Sequence, residues 1–285
     1  MAASRDPALF HVAVPFLSAS KSRVAETLTS LQRQNAVLAG RAQLKITLVS
    51  DEALVDPAGI SGFHPNLAME FKQDTAPGMY SAIADALEGS TADFVTYLGA
   101  GDTLEPQAFD LVLENAPRPD EDVAWWCTGY ITSRREDGAI VRVTLPYRYR
   151  SRLFDSGIHG SWLPTVQQES TVWNQAMHLR INFRKLRTFR LAGDYFLWTQ
   201  FCRVREPTII EAVIGSFRWH GDNQSGNWDA YTSEVDSLIR KPRLRDRVTA
   251  LADSALWAMP ARWRIKFGSS DIRRYRWPEG PWETD

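Results

Sequence analysis

The sequence predicts an α/β fold, a mixed and mostly parallel sheet flanked by helices. Two observations carry that expectation. Short apolar runs of strand character alternate with segments of helical period through the first half of the chain, and turn residues separate them. A length of 285 residues with 44% hydrophobic side chains also suffices to bury a substantial core, in one large domain or two modest ones.

The elements follow in order. Residues 9–17 read as a buried strand that ends in a turn at Ser18-Ala19-Ser20. Ser20 is placed to cap a helix over 21–35, where Val24, Leu28 and Leu31 share one face. Strands are expected over 44–49, 67–71 and 94–98, with a helix over 79–87 between the last two. The strand over 94–98 breaks at Gly99-Ala100-Gly101. Pro106 suits the turn that opens a helix over 109–114, and residues 123–128 close the series as a strand. In the second half, 130–145 reads as a hairpin turning at Asp137-Gly138, 157–170 as an aromatic loop, 191–203 as a helix and 208–217 as one strand. No internal repeat or low-complexity linker divides the chain. Residues 1–239 form the expected domain, and 240–285 a small C-terminal extension.

Charge and cysteine usage narrow the partners. With 33 basic against 34 acidic side chains, the net charge of −1 disfavours nucleic acid as the main partner. Two cysteines make neither a disulfide framework nor a cysteine-based zinc site. No apolar run approaches the roughly 18–20 residues that span a bilayer, and the first residues lack the apolar stretch of a signal peptide. A cytoplasmic protein is expected. The stretch 240–276 is different, with eleven Lys/Arg against three Asp/Glu interleaved with Leu251, Leu256, Trp257, Trp263 and Phe267. It reads either as a basic amphipathic helix on the inner face of a membrane or as a solvated helix packed on its own domain.

Ligands of open α/β sheets bind beyond the carboxyl ends of the strands. Asp51, Asp74 and Asp102 follow three successive strands there, although each alone is equally a turn or cap residue. Gly99-Ala100-Gly101-Asp102 joins small residues, which let a ligand approach the backbone, to a carboxylate able to hold Mg²⁺ or Mn²⁺. Downstream, Glu169 stands in a polar run between Trp162 and Trp173, and Asp194 at a helix start whose dipole favours its ionised form. Phosphate-loop, dinucleotide, zincin and serine-hydrolase patterns are all absent.

These segments together resemble the family 2 glycosyltransferases of GT-A (Rossmann-like) fold, of the bacterial polysaccharide-biosynthesis type. The matching elements are Gly78-Met79-Tyr80-Ser81-Ala82, Gly99-Ala100-Gly101-Asp102, Gln167 through Asn174, Leu191 through Trp198, and Phe217-Arg218-Trp219-His220-Gly221 with Ser225. The match runs from about residue 9 to 231. It implies inverting transfer of a sugar from a nucleotide-diphosphate donor to a hydroxyl of a saccharide or lipid-linked acceptor. By the same resemblance Asp194 is the general base and Glu169 its assistant or the acceptor's guide. Asp102 and His220 meet the metal and diphosphate. Pro15, Asp51, Asp74, Gly78, Tyr80 and Gly101 line the donor side, while Trp162, Gln168 and Trp173 face the acceptor. Family members carry an acidic residue where this chain has Gly101, and an aspartate where it has Ser81. That departure keeps a catalytically inactive carbohydrate- or nucleotide-binding relative as the alternative. A sugar nucleotidyltransferase would need a Gly-rich basic N-terminal signature, and Pro15-Phe16-Leu17-Ser18 offers none.

Overall fold

The structure, a computed structural model, describes residues 6–52, 64–118, 121–146, 148–219, 228–260, 263–264, 271–275 and 282–284. The strands are β1 (Ala8–Phe16), β2 (Ala42–Ser50), β3 (Leu67–Gln73), β4 (Phe94–Tyr97), β5 (Thr103–Leu104), β6 (Trp126–Thr128), β7 (Ile131–Arg134), β8 (Ile140–Thr144), β9 (Thr171–Asn174), β10 (Thr208–Ile210), β11 (Gly215–Arg218), β12 (Ile272–Tyr275) and β13 (Trp282–Thr284). Among the described residues, the helices longer than a turn or so are α1 (Lys21–Gln32), α2 (Met79–Leu87), α3 (Ala108–Asn115), α4 (Gly193–Val204), α5 (Trp228–Asp236) and α6 (Leu244–Ala258).

Nine strands form the central sheet in the order β13-β12-β10-β6-β9-β4-β1-β2-β3, and β5-β11-β7-β8 form a smaller one. Neighbours β4-β1-β2-β3 run parallel, as do β6-β10-β12. The period-2 pattern of β1 explains its central place. Phe10, Val12, Val14 and Phe16 pack on one face with Val24, Leu28 and Leu31 of α1, while Ala13 joins the opposite core with Ile83 and Leu87 of α2. Each large apolar side chain buried there contributes about 1.5–3 kcal/mol.

Two expectations need correction. The single strand expected over 208–217 is two: β10 pairs with β6 and β12 in the large sheet, and β11 with β5 and β7 in the small one. Between them the chain turns at Ala212, whose N–H donates to the Ile210 carbonyl (2.7 Å). A strand not expected, β9, begins at Thr171 where the polar run of residues 167–171 ends, and it lies antiparallel to both β4 and β6. Ser20 stands at the start of α1 but makes no capping bond with its side chain.

The stretch after residue 239 is joined to what precedes it through both α6 and β12. Buried Asp253 takes both nitrogens of the Arg150 fork (2.6 and 2.8 Å), and buried Asp246 takes Arg152 (3.1 and 2.9 Å). β12 then extends the central sheet beyond β10. Among the described residues no helix is long and apolar enough to cross a membrane.

Candidate active site

β4 ends at Tyr97, and the chain tightens so that Asp102 N–H donates to the Gly99 carbonyl (3.1 Å). Thr27, a polar residue on the apolar face of α1, locks this loop. Its hydroxyl donates to the Asp102 carbonyl (2.8 Å) and accepts from Gly101 N–H (2.9 Å). Asp102 Oδ1 accepts from the backbone N–H of Arg218 on β11 (2.9 Å), which fixes the carboxyl direction. Gly101 has φ +101, and a side chain there would meet the stems of Arg218 (3.4 Å) and Arg23 (3.6 Å). Arg218 is itself ion-paired with Glu26. Cationic stems thus lie where the resembling family carries an acidic residue.

The antiparallel course of β9 brings Glu169 to the same rim. Val95 pairs with Trp173, so the turn before Thr171 lies just beyond the carboxyl end of β4. Its neighbours are spent on backbone groups. Gln167 makes a two-way bond with Thr132 (2.6 and 2.7 Å), Gln168 Nε2 donates to the Tyr97 carbonyl, and Ser170 Oγ donates to the Tyr130 carbonyl (3.0 Å). β11 presses against this turn. A methyl group on Gly215 would come within 1.9 Å of the Glu169 carbonyl oxygen.

Asp194 lies half-buried in the first turn of α4. Its carboxylate accepts from Tyr195 N–H (2.7 Å) and, at 3.4 Å, from the hydroxyl of Tyr231 on α5. Gly193 lets Tyr80 of α2 approach, since a Cβ there would stand 2.3 Å from the tyrosine ring. Glu234, one turn beyond Tyr231, accepts from the N–H groups of Arg190, Leu191 and Ala192 (2.9–3.2 Å) and anchors the start of α4.

Asp102, Glu169 and Asp194 therefore gather from three separate elements. Burial raises all three: Asp102 well above the usual carboxylate range, Glu169 to about 7 and Asp194 to about 6. Asp102 and Glu169 lie close enough to shift one another: Glu169 raises Asp102 further, while Asp102 lowers Glu169. For Asp194 the expected dominance of the helix dipole does not hold, because loss of water outweighs the bonds that favour its charged form.

The remaining expected residues separate. Pro15 is buried at the end of β1, and Asp51 after β2 accepts Ser18 N–H (2.8 Å). Asp74 faces the same edge, its value raised by burial first and by Asp85 and Asp51 beyond it. Gly78, at φ +132, precedes α2. Trp173 is a correction. As an inward position of β9 its ring is buried against Tyr97 and Phe201, with Nε1 donating to His178 (3.3 Å), and it offers no face to an acceptor. Gln168 is likewise inward and committed to backbone. Trp162 is 50% exposed. His220 lies outside the described residues, with Ser225. Tyr231, Glu234 and Thr27 were not among the expected residues; a lone hydroxyl on the apolar stripe of α1 is the one signal that points to Thr27.

No family model matches the sequence, and no curated protein matches it. Solved structures of S. aureus TarS do resemble it. The complex with UDP-GlcNAc superposes with a TM-score of 0.50 at 14% identity, over 76% of this chain and 60% of that one. The complex with UDP gives 0.51 at 12% identity, over 90% and 77%. The chain thus spans little more than half of the first and about three quarters of the second. The likeness shows the fold, a mixed and mostly parallel sheet flanked by helices as in these glycosyltransferases.

Proposed function

We propose that the chain is an inverting glycosyltransferase of the family 2 type, acting in polysaccharide or cell-surface glycan synthesis. It moves a sugar from a nucleotide-diphosphate donor to a hydroxyl of a saccharide or lipid-linked acceptor. One observation carries the reading: three carboxyl groups withdrawn from water meet at the carboxyl-end rim of a mostly parallel sheet. The UDP-GlcNAc and UDP bound to TarS support a nucleotide-sugar donor.

Asp194 is the base. A value near 6 leaves it ionised at neutral pH yet basic enough to take the acceptor's proton as the hydroxyl attacks the anomeric carbon. Glu169 orients that hydroxyl, with Trp162 on the acceptor side. Pro15, Asp51, Asp74, Gly78 and Gly101 line the donor side, whereas Tyr80 is a correction: its ring is buried against Gly193 and Tyr97, where it supports Asp194 from within. The carboxyl group of Asp102, with that of Glu169 beside it, fits a hard divalent cation such as Mg²⁺ or Mn²⁺, and His220 is the second contact this reading assigns. Among the described residues no cluster of three such ligands exists, so phosphate and water would complete the shell. When bound, the cation offsets charge on the departing diphosphate. Cytoplasmic placement, with peripheral membrane contact through 240–285, completes the reading.

Asp194→Asn keeps shape and removes basicity, so turnover should fall roughly 10²–10⁴-fold with donor affinity nearly unchanged. Asp102→Asn should weaken metal-dependent donor binding instead. Turnover assays with a panel of nucleotide sugars, paired with donor titrations, measure both, and near-normal turnover in Asp194→Asn would sink the assignment. Gly101 favours a second reading, binding without transfer. Donor binding with no transfer to any saccharide acceptor would establish it.

A further inference from the structure

We propose that α6 docks on an anionic lipid surface through the side turned away from the protein. This deepens the peripheral contact in the functional reading and rests on that part of it alone.

α6 holds two opposed faces. Asp246 and Asp253 are buried and ion-paired with Arg152, Arg240 and Arg150, and Ala250 packs in a small cluster with Leu153, Ile158 and Leu163. With 3.6 residues per turn, Leu244, Val248, Leu251 and Ala255 fall on the opposite side. They are not covered: Leu244 is 79% exposed, Val248 56% and Leu251 57%. Toward the end of the helix the stripe runs into an apolar groove of about 560 Å³ lined by Ala252, Ala255, Leu256, Met259, Pro260 and Trp263. A 15-residue helix presents this stripe over roughly 22 Å.

Charge selects the occupant. Leu244, Val248, Leu251, Ala255 and Ala258 recur at alternating spacings of four and three, the pattern of a coiled-coil seam. The flanking positions are Arg245 and Arg247 at one end and Ala252, Ser254 and Met259 at the other, with no acidic residue among them. A parallel second copy would set arginine against arginine, and an antiparallel one would leave the arginines facing no acidic partner. Lys241 and Arg243 add to the same end, and all four basic residues are exposed. An apolar stripe bordered by cations suits a bilayer of anionic headgroups, where the stripe enters the acyl boundary and the arginines meet phosphate.

The test is sedimentation of the full chain with phosphatidylcholine vesicles, with and without phosphatidylserine, at low and high salt. Binding should require phosphatidylserine and weaken with salt. Arg245→Glu with Arg247→Glu should weaken partition by about 25-fold or more, roughly fivefold per lost arginine. Leu251→Glu should also weaken it, and unchanged circular dichroism would show that neither variant is misfolded. Failure of the wild-type chain to sediment with phosphatidylserine vesicles overturns the proposal, as does equal binding by the variants. A wild-type dimer in ultracentrifugation that Leu251→Glu dissolves, without vesicle binding, assigns the stripe to a second copy and also overturns it. A thermal-shift assay with UDP is run in parallel, the donor reading predicting a rise in melting temperature. That rise, seen when vesicle binding fails, leaves the transferase reading intact, and its absence when vesicle binding persists rejects only that reading.

Discussion

Glu169 carries a cost that its neighbours have been arranged to hold in place. Its value of about 7 lies above the ordinary 4.5, so between those limits the folded chain binds a proton that the unfolded chain releases. The burial is therefore free of penalty below pH 4.5, and destabilising as pH rises through 7. Glu169→Gln stays neutral at every pH. The variant should gain stability over the parent as pH rises from 4.5 through 7, and the advantage should vanish below pH 4.5. Urea unfolding across that range measures it, and a difference that stays constant with pH would mean that burial does not raise Glu169. At this scale Asp102, Glu169 and Asp194 were legible because each stands in a recognisable run of residues. Tyr231 and Glu234 were not. Their roles depend on α5 crossing the start of α4, and nothing local to residues 228–236 declares that crossing.

Elements are placed by close approaches as much as by apolar pattern. β11 can pass over the Glu169 turn only because Gly215 has no side chain. The obstructing atom is backbone, which cannot rotate away. Gly215→Ala should cost at least about 2 kcal/mol and shift Glu169, lowering both the thermal midpoint and turnover. A variant with wild-type stability would mean that β11 does not press on this turn. The parallel strands β1 to β4 and helix α2 were readable to within a residue or two, since unbroken apolar runs and one-faced helices are local patterns. β9 was not readable. Its four residues are polar at the start, and its strand character comes from pairing with β4 and β6, both distant in sequence.

For the whole molecule, the stretch after residue 239 is structural as well as exposed. Removing it strips Asp253 and Asp246 from Arg150 and Arg152 and uncovers the edge of β10. A chain ending at residue 239 should melt earlier and aggregate, as size-exclusion chromatography and thermal scans would register. If it melts like the full chain, α6 and β12 are not integral to the fold. The composition of this stretch, basic and aromatic, disclosed its surface chemistry, while the β10–β12 pairing depends on contacts no local pattern contains. That pairing also bears on synthesis. Thr208 and its partner Asp271 are 63 residues apart, a distance a ribosome covers in roughly 3–13 s. Through that interval the nascent chain carries β10 with one side bare, a template for pairing with a neighbouring polypeptide. The emerging protein is thus most vulnerable after Asp102, Glu169 and Asp194 have all been made, and a chaperone that holds it then would be shielding a sheet edge.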